Sequence, residues 1–168
     1  ERAAARARGM DLDEVLDQWI AADNACLAAG RAAGATVAIH FCRGNSRGHW
    51  RYRGGYDPIA EKLFSGLDAD RFLLEYDSAR AGGFEPLRFV PRGKTVVLGL
   101  VTTKDGRLEP QDQLRRRIDE AARYVPLEDL ALSPQCGFAS SVPGNQLTED
   151  EQWRKLEVML ETARRVWG

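Results

Sequence analysis

The stretch Thr36-Val-Ala-Ile-His-Phe-Cys42 is short, carries β-branched residues and is apolar through most of its length. A run of that kind reads as a strand of a parallel sheet, buried on both faces. Upstream, Leu12, Val15, Leu16, Trp19 and Ile20 recur at helical spacing, and Cys26 and Leu27 extend the same apolar side. Cys26 is therefore expected in the core, and Gly30 and Gly34 bracket the end of this helix. Downstream, strands are expected at Phe72 to Tyr76, Thr95 to Thr102 and Leu130 to Ser133.

Helical segments fall between these strands. Pro58 to Phe64 and a short turn near Glu85 to Phe89 are brief. Leu114, Ile118, Ala121 and Val125 form an amphipathic stripe, with Pro110 placed for the first helical position. Thr148 and Glu151 have capping-box spacing, after which Trp153, Leu156, Leu160, Ala163 and Trp167 line one face of a final helix. Strand alternating with helix is the pattern of an α/β fold with a parallel sheet and right-handed crossovers. One leading helix and four strand–helix units make half of a (β/α)8 TIM barrel, which takes about 250 residues when complete. Such a half has two parallel edges open to pairing. The 168 residues are accordingly expected to be a piece of a longer protein, or to pair with a missing half or a second copy.

Composition agrees with one ordinary soluble domain: 43% of residues are hydrophobic and 29% charged, enough apolar side chains for a core. Twenty-four basic residues against 25 acidic ones leave a formal charge of −1, which argues against nucleic acid or an anionic membrane as partner. Small-molecule chemistry is the expectation. Residues Glu1 to Met10 lack the continuous apolar stretch of a signal peptide, and no later run approaches the roughly 20 apolar residues of a membrane helix. A cytoplasmic location follows, in which Cys26, Cys42 and Cys136 are thiols or metal ligands rather than a disulfide framework.

Two of those thiols have suggestive neighbours. His40 and Cys42 are two apart in a strand, so their side chains project from one face. Glu75 ends the next strand, in Leu73-Leu-Glu-Tyr-Asp77, and Cys136 follows the last, in Leu132-Ser-Pro-Gln-Cys-Gly-Phe138. The spacings are about one and two repeats of roughly 30 residues, which would bring all four to the carboxyl ends of the strands, the catalytic rim of a barrel. Two thiolates, an imidazole and a carboxylate match the ligand preferences of zinc. Each also has a plainer reading: an ordinary strand pair for His40 and Cys42, an apolar filler for Cys136, and a salt bridge to Arg80 for Glu75.

His40-Phe-Cys-Arg-Gly-Asn45, Gly54-Gly-Tyr-Asp-Pro-Ile-Ala-Glu61, Leu74-Glu75, Gly99-Leu-Val-Thr-Thr-Lys104 and Ser133-Pro-Gln-Cys-Gly-Phe138 together resemble the catalytic domain of cobalamin-independent methionine synthase. The likeness is strongest to its short, single-barrel bacterial relatives and covers almost the whole chain. It implies the C-terminal half of a (β/α)8 barrel, with zinc held by His40, Cys42, Glu75 and Cys136. It also implies methyl transfer from a methyltetrahydrofolate to homocysteine. Where larger members have a histidine that assists proton transfer, this sequence has Lys104, either a catalytic group that holds a substrate carboxylate or donates a proton, or a solvated loop lysine. The family's upstream half supplies much of the amino-acid and folate pocket, so no substrate residues carry over.

Zinc would deprotonate the acceptor thiol, and Glu75, the weakly held oxygen ligand, would be the one displaced. Alkyl transfer to another thiol such as coenzyme M uses the same step, while a non-catalytic zinc module would use the metal only to hold its fold. Arg43, Asn45, His49, Arg51 and Arg53 lie in the segment after the first ligand strand and either meet substrate or are solvated. Trp50 and Tyr52 either stack on a planar donor or pack beneath the loop.

Overall fold

A computed structural model describes residues 7–168. The reading of Glu1 to Met10 therefore falls mostly outside the described residues. Helix α1 (Leu12–Ala32) starts at Asp11, whose carboxylate accepts from the Asp13 amide at 2.9 Å. There follow β1 (Ala38–Phe41), α2 (Ala60–Gly66), β2 (Arg71–Glu75), two 3-10 turns (Ala79–Ala81 and Glu85–Phe89) and β3 (Thr95–Val101). The chain continues with α3 (Gln111–Ala121), a 3-10 turn (Leu127–Asp129), β4 (Leu130–Pro134) and α4 (Glu149–Trp167). The four strands pair in chain order, β1-β2-β3-β4, and every pairing is parallel. No helix among the described residues is long and apolar enough to cross a membrane.

Strand periodicity divides the side chains between two faces. Phe72, Leu74, Val96, Leu98 and Leu130 are buried against Phe64, Leu87, Leu114 and Ile118 in one core. Tyr56, Phe64 and Phe72 continue this core as ring contacts with centroids 6.1 and 5.3 Å apart, and Tyr76 meets Phe84 at 4.6 Å. The opposite face carries His40, Leu73, Val97 and Ala131, which are neighbours in register. None of these four is buried.

Four expectations need correction. β1 is not buried on both faces: Ala38 and His40 are exposed and Ile39 and Phe41 half-buried, because β1 is an edge strand whose second face has no cover. Cys26 is exposed rather than in the core, and Trp19 is 66% exposed, since α1 buries only Leu16 and Leu27. Pro110 caps α3 from outside, in extended conformation, instead of opening its first turn. In α4 the capping box forms as expected, yet Trp153 and Leu160 stay exposed while Lys155 and Thr162 are buried.

Lys155 is buried because its ammonium has partners. It donates to the Arg107 carbonyl and to both oxygens of Glu109, at 3.3 and 3.2 Å. Glu109 in turn accepts from the Thr102 amide at 2.8 Å. α4 thereby fastens the segment that leaves β3, where Thr102, Thr103 and Lys104 sit.

Candidate metal and thiol site

His40 stands on β1 and Cys42 just beyond its end, on the bare face, and Cys136 arrives from the segment after β4. Their ligand atoms lie within 4.8 Å of one another, with Cys136 Sγ 3.4 Å from His40 Nε2. An imidazole and two thiols are a donor set suited to zinc. Burial holds the His40 imidazole below its ordinary pKa, against the pull of Glu75's charge, so the ring is neutral with a lone pair to offer. Burial and the neighbouring Cys42 push the Cys136 thiol up to about 12. In both, burial is the largest cause, and it favours the uncharged form of each group. The three residues line an open cavity of about 620 Å³ together with Asn45, Leu73 and Gln135.

Local sequence explains how the segments reach this point. The residues after β4 pass close over β3, where a Cβ on Gly99 would lie 2.8 Å from the Leu74 carbonyl and 3.0 Å from Gln135 Cα. Gln135 is buried, accepts from Thr103 Oγ1 at 3.3 Å and donates to Cys136 Sγ at 2.8 Å. Across the cavity, Asn45 donates to Thr103 Oγ1 at 2.9 Å, which ties the loop after β1 to the loop after β3.

Glu75 is not drawn into the three-residue cluster. Its carboxylate is fully buried and accepts from the Arg43 amide at 2.5 Å, from Lys104 Nζ at 3.4 Å and from Arg80. The salt bridge to Arg80 is thus present. Lys104 is no solvated lysine: it is 8% exposed and reaches Asp77 at 2.8 Å as well as Glu75. Asp77, which also accepts from Thr102 Oγ1 at 2.9 Å and Arg80 at 3.3 Å, escaped the sequence reading. Its signal was available, since it follows Glu75 by two residues at the end of an apolar strand.

Arg43 is also buried, not solvated. Its guanidinium donates to the Gly54, Glu75 and Ala81 carbonyls and to Tyr56 Oη, and lies 4.3 Å over the Tyr56 ring. Tyr56 Oη accepts from the Glu75 amide at 3.1 Å, which fixes the backbone that carries the carboxylate. Beyond Arg43 the loop opens to solvent: His49, Arg51 and Arg53 are exposed, as are Trp50 and Tyr52. Trp50 is not packed beneath the loop but lies 5.0 Å from the Arg80 guanidinium.

Comparison with known proteins gives these residues a setting. Among curated proteins, the chain is 56% identical over 133 residues to "Uncharacterized protein YxjG" of Bacillus subtilis, and 53% identical to YxjH of the same organism over an equal span. Each match covers 79% of this chain and 35% of the relative, so the chain spans about a third of the relatives' length. Among solved structures, the putative vitamin-B12 independent methionine synthase of Listeria monocytogenes superposes with a TM-score of 0.58 at 42% identity, over 78% of this chain and 35% of that one. A B12-independent methionine synthase from a Shewanella species shares the fold, with a TM-score of 0.59 at 21% identity over 77% of this chain and 38% of that one. The four-stranded parallel unit is half of a TIM barrel. Residues 4–165 match the family described as "Cobalamin-independent synthase, Catalytic domain", and the chain belongs to that family.

Proposed function

We propose that this chain is the C-terminal, zinc-holding half of a methyltransferase barrel that methylates homocysteine or a similar small thiol from a methyltetrahydrofolate-type donor. The observation that carries the reading is the convergence of His40, Cys42 and Cys136 at the carboxyl end of a parallel sheet. Family membership supports methyl transfer to homocysteine broadly. Zinc, the methyl donor and the role of each residue are part of the proposal.

His40, Cys42 and Cys136 would hold the ion, with Glu75 as the oxygen ligand that gives way to substrate. A bound zinc ion would supply the positive charge that makes a thiol nucleophilic near neutrality. The chain's own residues do the rest. Neutral His40 offers a lone pair, and Gln135 orients Cys136 through its hydrogen bond to sulfur. Lys104 holds its ammonium between Glu75 and Asp77, and once Glu75 turned to the ion that ammonium would be free to bind a substrate carboxylate or deliver a proton to the departing donor. Leu73 and Pro134, which line the open cavity, give an aliphatic thiol an apolar wall beside the cluster.

The remaining substrate contacts are assigned to a further half-barrel that covers the bare face of the sheet. The test is zinc content and methyl transfer to a panel of thiols, homocysteine and coenzyme M included, by the intact gene product and by residues 1–168 alone. About one zinc per protein and turnover of homocysteine by the intact product are expected, with little turnover by the half. A zinc-free intact product, or one that methylates no thiol, overturns the reading.

A further inference from the structure

We propose that Asp77 is a positioning residue that retains Lys104 and Arg80 and so permits Glu75 to leave them for a metal ion. The inference rests on the metal reading above. Glu75, Asp77, Lys104 and Arg80 have side-chain exposures of 0, 2, 8 and 11%, so all four charges are withdrawn from water. Each cation touches both carboxylates: Lys104 lies 2.8 Å from Asp77 and 3.4 Å from Glu75, and Arg80 lies 3.3 Å from Asp77 and also pairs with Glu75. The four groups together are formally neutral.

Sharing makes Glu75 dispensable to the cations. When a buried ion loses its only partner the cost is large, whereas an ion with a second partner keeps most of its compensation. With Glu75 turned toward His40, Cys42 and Cys136, the remaining three groups carry one net positive charge. Without Asp77 they would carry two, and Glu75 would be held where it is. Thr102 keeps Asp77 aimed at this task, since its hydroxyl donates to Asp77 at 2.9 Å and accepts from the Lys104 amide at 3.3 Å. The single positive charge left behind also suits one anionic group on a substrate.

The proposal predicts that zinc affinity follows the charge that remains after Glu75 leaves. Lys104→Met leaves none, the wild type leaves one, the double variant Asp77→Asn/Lys104→Met again leaves one, and Asp77→Asn leaves two. Zinc affinity of the intact protein is measured by competition with a chromophoric chelator. Asp77→Asn is expected to bind at least about tenfold more weakly than wild type, the usual scale for a residue that supports a metal ligand. The double variant is expected within about threefold of wild type, and Lys104→Met is expected to be tighter than either. If Asp77→Asn fails to fold, the order of the other three still decides. Wild-type affinity in Asp77→Asn, or a double variant as weak as Asp77→Asn, overturns the role of Asp77 while leaving the zinc site intact. A wild-type protein that binds no zinc overturns the metal reading and this inference with it.

Discussion

Cys136 Sγ lies 3.4 Å from His40 Nε2 although 96 residues separate them in the chain. With Cys42 in the same cluster, the metal reading predicts that Cys42→Ser and Cys136→Ser each lose most bound zinc. Glu75→Gln should weaken binding less than either, because its carboxylate is already satisfied by Arg43, Arg80 and Lys104. Metal analysis after dialysis against a weak chelator checks this order. Full zinc in a Cys42→Ser/Cys136→Ser variant would show that the cluster is not the site.

Stability of the metal-free chain should fall in alkaline solution. Burial raises the Cys136 thiol to about 12, above its unfolded value of about 8.5, so the folded form holds this proton more tightly. That contribution is complete below the unfolded value and is lost as pH rises toward the folded one. Urea unfolding of the zinc-free protein at pH 8 and at pH 10 should give the smaller free energy at pH 10. Cys136→Ser should reduce the difference, and an unchanged difference would remove Cys136 from the explanation.

Lys155→Met is expected to cost about 2–3 kcal/mol. Removal of one partner from a buried pair costs about 3–5 kcal/mol, but Glu109 is 15% exposed and can recover some hydration. The added substitution Glu109→Gln should return part of the loss, since it removes the stranded charge. Denaturant titration of the two variants measures both effects. Equal stability of Lys155→Met and wild type would mean that the tie between α4 and the β3 exit has no net worth.

Gly99→Ala should destabilise the protein by about 1–3 kcal/mol, because backbone crowds the new methyl group on two sides. The Gln135 side of that crowding carries Cys136, so zinc affinity should fall with stability. A variant that loses stability but keeps its zinc affinity would show that β2, not the Gln135 segment, yields to the methyl group.

The strand–helix alternation and all four strands were legible because their apolar runs repeat at regular intervals and pair in chain order. Helix α4 was equally plain from Thr148 and Glu151, whose reciprocal hydrogen bonds form as their spacing implies. The grouping of His40, Cys42 and Cys136 followed from placing each at a strand end. Burial was harder to read. Nothing local distinguishes Trp153, left exposed, from a core aromatic, or marks Lys155 as the residue that turns inward toward Glu109. The position of Asp77, two residues after Glu75, was legible, but its pairing was not: its partners Thr102 and Lys104 belong to the next strand's exit, and only tertiary packing brings them to it.

His40 and Cys136 are delivered by the two outermost strands, and in a flat sheet three strand spacings would put those strands roughly 14 Å apart. The sheet of a half TIM barrel arches over its inner face, and the segment after β4 passes back over β3; together these bring the two side chains to 3.4 Å. An ion held by both residues would act as the chord of that arch. Loss of the ion and relaxation of the curvature then become one event, and whatever spreads β1 from β4 opens the metal centre without touching a ligand. Circular dichroism and zinc release followed together during mild denaturation should move in step.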